Sequence, residues 1–288
     1  MSLLTIISNA SLELGLEAPS NVVNSSDLQV KQLLAQCNRE GKELRNKFDW
    51  PQLSKEHSFT LSASTASYAL PDDFERFIFC THWDRSNHWE ILGPLSAQEW
   101  QLRKSGIVTN APRRRFRIKG YAANQFYLDP TPVAADAGET MVFEYQSKNW
   151  CRPQIWAAGL SISTNDYIFY DGNYYRATTS GTTGATPPTH TSSTASDGGV
   201  TWSYSDDAYE SMAADTDVSH LDENLITLGI KWRFTQAKGL PWEVYRSEYE
   251  AAFRRMSSDL RSAGSLSLVR EYSSQLLGFN NIPDSGYG

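Results

Sequence analysis

Three things are scarce in this sequence: cysteine, long apolar runs and excess positive charge. Its three cysteines, Cys37, Cys80 and Cys151, lie far apart among 288 residues, which excludes a disulfide framework and the close thiol pairs of a structural zinc site. No stretch approaches the roughly 20 apolar residues that span a bilayer, so we expect no membrane partner. The formal net charge of −7 argues against a global electrostatic hold on nucleic acid.

Targeting and catalytic motifs are also missing. The stretch 1–17 has no basic start and polar residues interrupt its apolar run, so we expect no signal peptide and assembly in the cytoplasm. There is no phosphate-binding glycine loop, nucleophile elbow or HExxH motif. His82 and His88 lack further ligands at metal spacing and are predicted to be surface or interface residues, while Asp72 and Asp73 are predicted to form a solvated turn. We therefore predict no enzyme activity, no cofactor and no metal.

Four amphipathic helices are predicted, two early in the chain and two late. An apolar face over residues 3–14 indicates a short helix, and Ser26 is predicted to cap a second helix that ends before Pro51. Two more helices are predicted within 219–260, with Ser219 as the first cap and Gly239 in the left-handed position between them. Periodic apolar faces are usually buried, so the four helices are expected to pack as an antiparallel bundle.

Between the two helix pairs, the hydrophobic period changes from helical to strand-like. Strands of this length, separated by turns, form small antiparallel sheets, so the predicted class is α+β. The predicted strands cover residues 57–61, 77–83, 89–92, 114–119, 125–129 and 139–147, with a short helix at 96–104.

Residues 152–209 differ in composition from the rest of the chain. They contain no lysine, and their middle is dominated by Ser, Thr, Gly and Pro. Aromatic runs bracket that middle, and Asp171-Gly172 between two of them is a strong hairpin signal. We predict a small all-β module at 152–209, inserted into a domain made of residues 1–151 and 210–261. An extended C-terminal tail follows at 262–288.

The densest basic run, at 113–119, has two interpretations. Its cations could meet phosphates or an acidic neighbour. Alternatively Arg113, Arg115 and Arg117 line one solvated strand face or contact another protein, which we favour because the chain is acidic overall and no series of stacking aromatics interleaves the run.

The aromatic residues of 152–209 also have two interpretations. A module this small needs most of them for its own core, which is the interpretation we favour. One or two could instead be exposed and stack on sugars. The candidates for such glycan-facing aromatics are Trp156, Tyr174, Tyr175 and Trp202.

Several runs occur in an unusual order along the chain. They are YALPDDF at 68–74, RFRIKG at 115–120, QFYLDPTP at 125–132, GETMVFEYQSKNW at 138–150 and HLDENLITLGIKWRF at 220–234. Together with the helices, this order resembles the head-to-tail adaptor (connector) proteins of short-tailed bacteriophages, the tail tubular protein A group. The resemblance covers roughly residues 1–150 and 210–262.

The resemblance implies a structural virion protein of the tail or neck. It implies a ring, of twelve copies on the portal protein, that extends the DNA channel and offers a platform to the tail nozzle or tail fibre proteins. Double-stranded DNA would pass through without sequence-specific binding, which the acidic balance fits.

The resemblance also implies where the ring would make its contacts. The late helical pair would share residues between folding and ring assembly, so Trp232, Arg233 and Trp242 are subunit-interface candidates, with Arg113 and Arg115 from the basic run. The C-terminal tail would dock on the portal and become ordered there. Its candidate residues are Leu266, Leu268, Val269, Tyr272, Leu276, Leu277 and Phe279.

The inserted segment departs from the simplest members of that group. Its repeated Gly, Thr and aromatic runs look like the small carbohydrate-binding-like β-modules of phage virion proteins. An alternative function is therefore a glycan-binding tail component that acts through residues 152–209.

Overall fold

The computed structural model describes residues 2–106, 113–120, 125–205 and 207–260. Within these, the chain forms two compact units: residues 2–53 with 147–260, and residues 54–146. Helices and antiparallel sheets occur together, so the predicted α+β class is confirmed. The α-helices of the described residues are α1 (Leu3–Glu13), α2 (Leu28–Lys47), α3 (Ala97–Lys104), α4 (Glu223–Ala237) and α5 (Glu243–Leu260).

The strands are short and lie between α2 and α4. Those of the second unit are β1 (Ser54–Thr60), β2 (Ser67–Ala69), β3 (Phe74–Phe77), β4 (Trp83–Asp84), β5 (Trp89–Glu90), β6 (Arg115–Lys119), β7 (Gln125–Asp129) and β8 (Thr140–Ser147). Those that follow are β9 (Cys151–Arg152), β10 (Ser161–Ile162), β11 (Tyr167–Tyr170), β12 (Asn173–Ala177), β13 (Gly181–Thr182), β14 (Thr194–Asp197), β15 (Val200–Ser205) and β16 (Val218–Ser219).

The predicted helices are present, but two of their caps were placed wrongly. Asp27, not Ser26, caps α2, since its carboxylate accepts from the Gln29 amide at 2.8 Å. Asp222, not Ser219, caps α4 by accepting from the Leu225 amide. A carboxylate at the N-cap accepts a hydrogen bond from a free backbone amide of the first turn, and it also faces the positive end of the helix dipole.

Helix α4 is the centre of the first unit. It packs against α1, α2 and α5. Its apolar face joins theirs in one core, which includes fully buried Trp50 and Trp150. Close approach depends on glycine: a Cβ on Gly41 of α2 would lie 2.4 Å from the Trp150 ring, and one on Gly229 of α4 would lie 2.4 Å from the Glu40 side chain.

A second, smaller core in the first unit lies under the sheet β11-β12-β15-β14. Asp171 and Gly172 both have positive φ, so the predicted two-residue hairpin between β11 and β12 is confirmed. The Asp197 carboxylate is buried and accepts from the indole of Trp156 at 2.7 Å and from the Gly184 amide at 2.7 Å. These bonds tie the Ser/Thr/Gly-rich loops to the sheet.

The segment that follows this sheet is tied to the helices by long-range hydrogen bonds. The Asp215 carboxylate accepts from the amides of Val22 and Val23. Buried Asp217 accepts from the Tyr209 hydroxyl at 2.7 Å. Burial raises the pKa of Asp217, although its hydrogen bonds oppose that shift.

The second unit has two antiparallel sheets around one aromatic core. One sheet has the order β1-β8-β4-β5 with β3 also paired to β8, and the other has the order β2-β7-β6. Met141, Phe143 and Tyr145 of β8 face this core, and Phe116 and Phe126 enter it from the other sheet. The predicted single strand over 77–83 is wrong: β3 ends at Phe77, Cys80 has φ 62°, and β4 begins at Trp83.

Two polar predictions in this unit are also corrected. Asp73 is not solvated: it is buried and bonded to the Tyr145 hydroxyl and the Lys55 ammonium, each at 2.7 Å. His82 is not a surface residue: it is 3% exposed and stacks on Phe116 with the ring centroids 4.4 Å apart. His88 is exposed in the turn between β4 and β5.

Candidate subunit-interface site

The predicted interface residues of the late helices meet where α4 turns into α5. Helix α4 ends in a Schellman motif: the amide of Gly239 donates to the carbonyl of Gln236, and that of Leu240 donates to the carbonyl of Thr235. Gly239 has φ 70°, so its predicted left-handed conformation is confirmed. After this Schellman turn the chain changes direction over residues 240–242, and α5 begins at Glu243.

Three apolar side chains at this turn form what we call the corner patch: Leu240, Trp242 and Val244. Leu240 is 52% exposed and Val244 is 67% exposed, while Trp242 is half-buried. Single exposed apolar residues are common on protein surfaces, but three within five positions of a rigid turn favour a contact surface. The prediction included Trp242 and missed Leu240 and Val244.

A layer of aromatic and cationic side chains supports the corner patch. The ring centroids of Trp232 and Trp242 lie 6.4 Å apart. The Arg246 guanidinium lies over both rings, at 5.9 Å and 5.7 Å, and is paired with Glu250 at 3.0 Å. The tilted Trp232 ring and the Arg246 guanidinium contact Trp242 on the subunit's own side, which restricts its rotamers and lowers the entropy that a partner would have to remove on binding.

Arg233 lies inside the subunit, although it was predicted at the interface. Its side chain is 5% exposed and pairs with buried Glu40 at 2.6 Å and with Glu43 at 2.6 Å. Burial alone would lower the pKa of Arg233, but the two carboxylates raise it overall, so the guanidinium stays charged. Arg233 therefore holds α4 against α2 and contributes to the corner only by lying 4.3 Å from the Trp232 ring.

The other two interface candidates lie in the second unit. Arg113 and Arg115 are half-buried, and Arg115 opens β6.

Three of the four glycan candidates are interior residues. Tyr175 and Trp202 are fully buried and Tyr174 is 7% exposed, as expected if the module uses them for its core. A buried ring cannot stack on a sugar without unfolding its surroundings. Trp156 is half-buried, with its indole bonded to Asp197.

The portal-binding candidates Leu266, Leu268, Val269, Tyr272, Leu276, Leu277 and Phe279 lie outside the described residues. Elsewhere, the described residues hold no group of three or more His, Cys, Asp or Glu side chains placed to bind a metal. No helix in this part of the chain is long and apolar enough to cross a membrane.

The corner patch has the composition of a protein-contact surface, with exposed apolar side chains beside an aromatic residue. The family model for the SU10 adaptor protein matches residues 1–275, and the chain belongs to that family of bacteriophage structural adaptors. The predicted resemblance to phage adaptors is thereby confirmed, and the family is not a class of enzymes. No curated protein matches the chain.

Proposed function

We propose that this protein is a head-to-tail adaptor that assembles as a ring beneath the portal, extends the DNA channel and joins the capsid to the tail. The family match over residues 1–275 carries the proposal. The proposed ring has twelve copies on the portal and is assembled in the host cytoplasm. Tail nozzle or tail fibre proteins bind below it. Double-stranded DNA passes through the ring without sequence-specific recognition.

The corner patch supports a role for the α4–α5 turn in subunit contact. It offers apolar area that the subunit itself leaves exposed, supported by the contact between the Trp232 and Trp242 rings. Contacts of this kind, with an aromatic residue at the centre, contribute most of the binding energy at protein interfaces. In this proposal the helices α1, α2, α4 and α5 form the bundle that carries the patch.

The test of the patch is a double variant, Leu240→Ser with Val244→Ser, mixed with the cognate portal and counted by mass photometry. We expect the wild type to form a ring on the portal and the variant to lose it. Leu12 and Leu28, which are 62% and 67% exposed, provide a matched control as Leu12→Ser with Leu28→Ser. If the control and the corner variant assemble equally well, the patch is not the subunit contact.

The C-terminal tail supplies the proposed portal contact. Deleting residues 262–288 should abolish portal binding and leave the circular dichroism spectrum and thermal unfolding of the rest unchanged. Portal binding by the truncated chain would contradict this role. The alternative glycan-binding function has no comparable support, because Tyr174, Tyr175 and Trp202 are buried.

A further inference from the structure

The three-stranded sheet of the second unit has two chemically opposite faces. Along β6, Phe116 and Ile118 face the aromatic core, so the alternate residues Arg115, Arg117 and Lys119 lie on the outer face. On β7 the partners of these three are Asp129, Tyr127 and Gln125 in register. Helix α3 adds Lys104, whose ammonium is paired with Asp129. We call Lys104, Arg115, Arg117 and Lys119 the basic face.

The basic face has few carboxylates near it. Within the described residues, Arg117 and Lys119 have no ion-pair partner, and the Arg115 Nε atom is buried without an acceptor. The adjoining stretches 107–112 and 121–124 contain no acidic residue.

Arg114, in the same run, shows the opposite arrangement. Its side chain is 10% exposed and contacts three carboxylates: Asp84, Asp136 and Glu139. Arg114 is therefore a neutralised structural arginine. Within the described residues, Arg117 and Lys119 differ from it in charge balance, because neither is paired with a carboxylate.

Aromatic rings hold the amines close together. The Lys119 ammonium lies 4.4 Å from the Trp100 ring and 5.0 Å from the Tyr127 ring, and that of Lys104 lies 5.2 Å from Trp100. Partial burial lowers the pKa of Lys119, and the neighbouring charges of Arg117 and Lys104 lower it further. A bound anion would remove this repulsion.

We propose that the basic face binds the phosphate backbone of double-stranded DNA, without reading its sequence. Alternate residues of a strand are about 6.8 Å apart, so Arg115, Arg117 and Lys119 form a linear row of charge suited to a linear polyanion. A guanidinium pairs with phosphate in a bidentate geometry. Trp100 beneath the row is 4% exposed, so this ring does not offer the exposed aromatic centre that is typical of a protein interface. This contact does not require the ring, so it can fail or hold independently of the proposed function.

The test measures binding of the full chain to a fluorescent random-sequence duplex by anisotropy. With about four phosphate contacts, the affinity should fall on the order of 100-fold between about 50 and 200 mM salt. The variant Arg117→Ser with Lys119→Ser should weaken binding at least about 10-fold and reduce the salt slope by about 2.

The control Lys31→Ser with Lys42→Ser removes the same charge from exposed positions of α2, and should bind DNA within about twofold of wild type. If the double variant fails to fold, Arg117→Gln and Lys119→Gln are measured singly, each with an expected slope change of about 1. Equal loss in the basic-face and control variants, or no salt-dependent binding by the wild type, would overturn the proposal. Equally tight binding of poly-glutamate would assign the face to an acidic protein instead.

Discussion

Arg233 and Trp232 are neighbours in the sequence but take part in different interactions. Trp232 supports the exposed corner, whereas Arg233 points into the α2–α4 contact and meets Glu40, which is 193 positions away. No local sequence pattern could have identified Glu40 as the partner. The 3.6-residue period shows which face of a helix a residue lies on, but not which charged residue of another helix it contacts. The presence of an arginine on a predicted apolar helix was the only signal.

We predict that Arg233→Met lowers the free energy of unfolding by about 3 to 5 kcal/mol, because it leaves Glu40 buried and unpaired. Adding Glu40→Leu should restore most of this loss, because the remaining charge is then removed. Urea denaturation followed by circular dichroism measures both variants. A loss below about 1 kcal/mol for the single variant would show that the pair is not buried as described.

His82 should make the second unit sensitive to acid. Burial among aromatic rings lowers the pKa of His82 to about 4, against an ordinary value near 6.5. Between these values the unfolded chain binds the proton and the folded chain does not, so stability is lost as pH falls from about 6.5 to 4. The cost at the acid end is on the order of 2 to 3 kcal/mol.

The variant His82→Phe isolates this effect. It should reduce the dependence of the unfolding free energy on pH between about 4 and 6.5, while His88→Phe, at an exposed turn position, should leave the slope unchanged. A slope that is the same in wild type and His82→Phe would contradict the assignment.

Among the helices and strands, the hydrophobic period of the sequence and the residues typical of turns predicted most elements of the fold. All four amphipathic helices and the hairpin at Asp171-Gly172 are confirmed. The boundaries moved where a carboxylate replaced a serine as cap, at Asp27 and Asp222. The strand over 77–83 was wrong because Cys80 adopts a left-handed conformation that an apolar run does not reveal.

The site was predicted less well than the fold. Trp242 was proposed because the late helical pair was expected to serve both folding and ring assembly. Leu240 and Val244 were not named, since their exposure depends on the direction the chain takes after the Schellman turn. Tyr175 and Trp202 alternate along strands in the same way whether they face a core or a ligand, so the pattern left both interpretations open. Burial, which decides between them, is a property of packing.

A substitution at Gly41 of α2 should change stability in opposite directions through helix propensity and through packing. Alanine in place of Gly41 should gain up to about 1 kcal/mol of helix propensity. Its methyl group, however, would overlap the ring of Trp150, which is fully buried and whose indole donates to the Glu210 carbonyl at 2.7 Å. Overpacking costs about 1 to 3 kcal/mol, so we expect Gly41→Ala to lower the thermal midpoint.

Ser247→Ala, at an exposed position of α5, is the control for propensity alone and should be neutral or slightly stabilising. A Gly41→Ala variant that is as stable as wild type would mean that the α2 backbone does not lie against Trp150 as closely as described.

At the scale of the whole molecule, charge is unevenly distributed. The chain carries a formal net charge of −7, but residues 113–119 hold five cations and no acid. An acidic protein with one local row of cations repels nucleic acid over most of its surface and can hold it at one place. This charge distribution fits a protein through which DNA passes. Substitutions in the basic face therefore test DNA contact more directly than the net charge of the chain does.

The proposed function requires this protein to form a ring on the portal. Electron microscopy of the full chain mixed with its cognate portal tests it most directly, with averaged end-on views to count the subunits. We predict a closed twelve-fold ring beneath the portal, with the turn between α4 and α5 at the contact between neighbouring copies. Portal particles without added density, or with bound copies that do not form a ring, would overturn the proposed function.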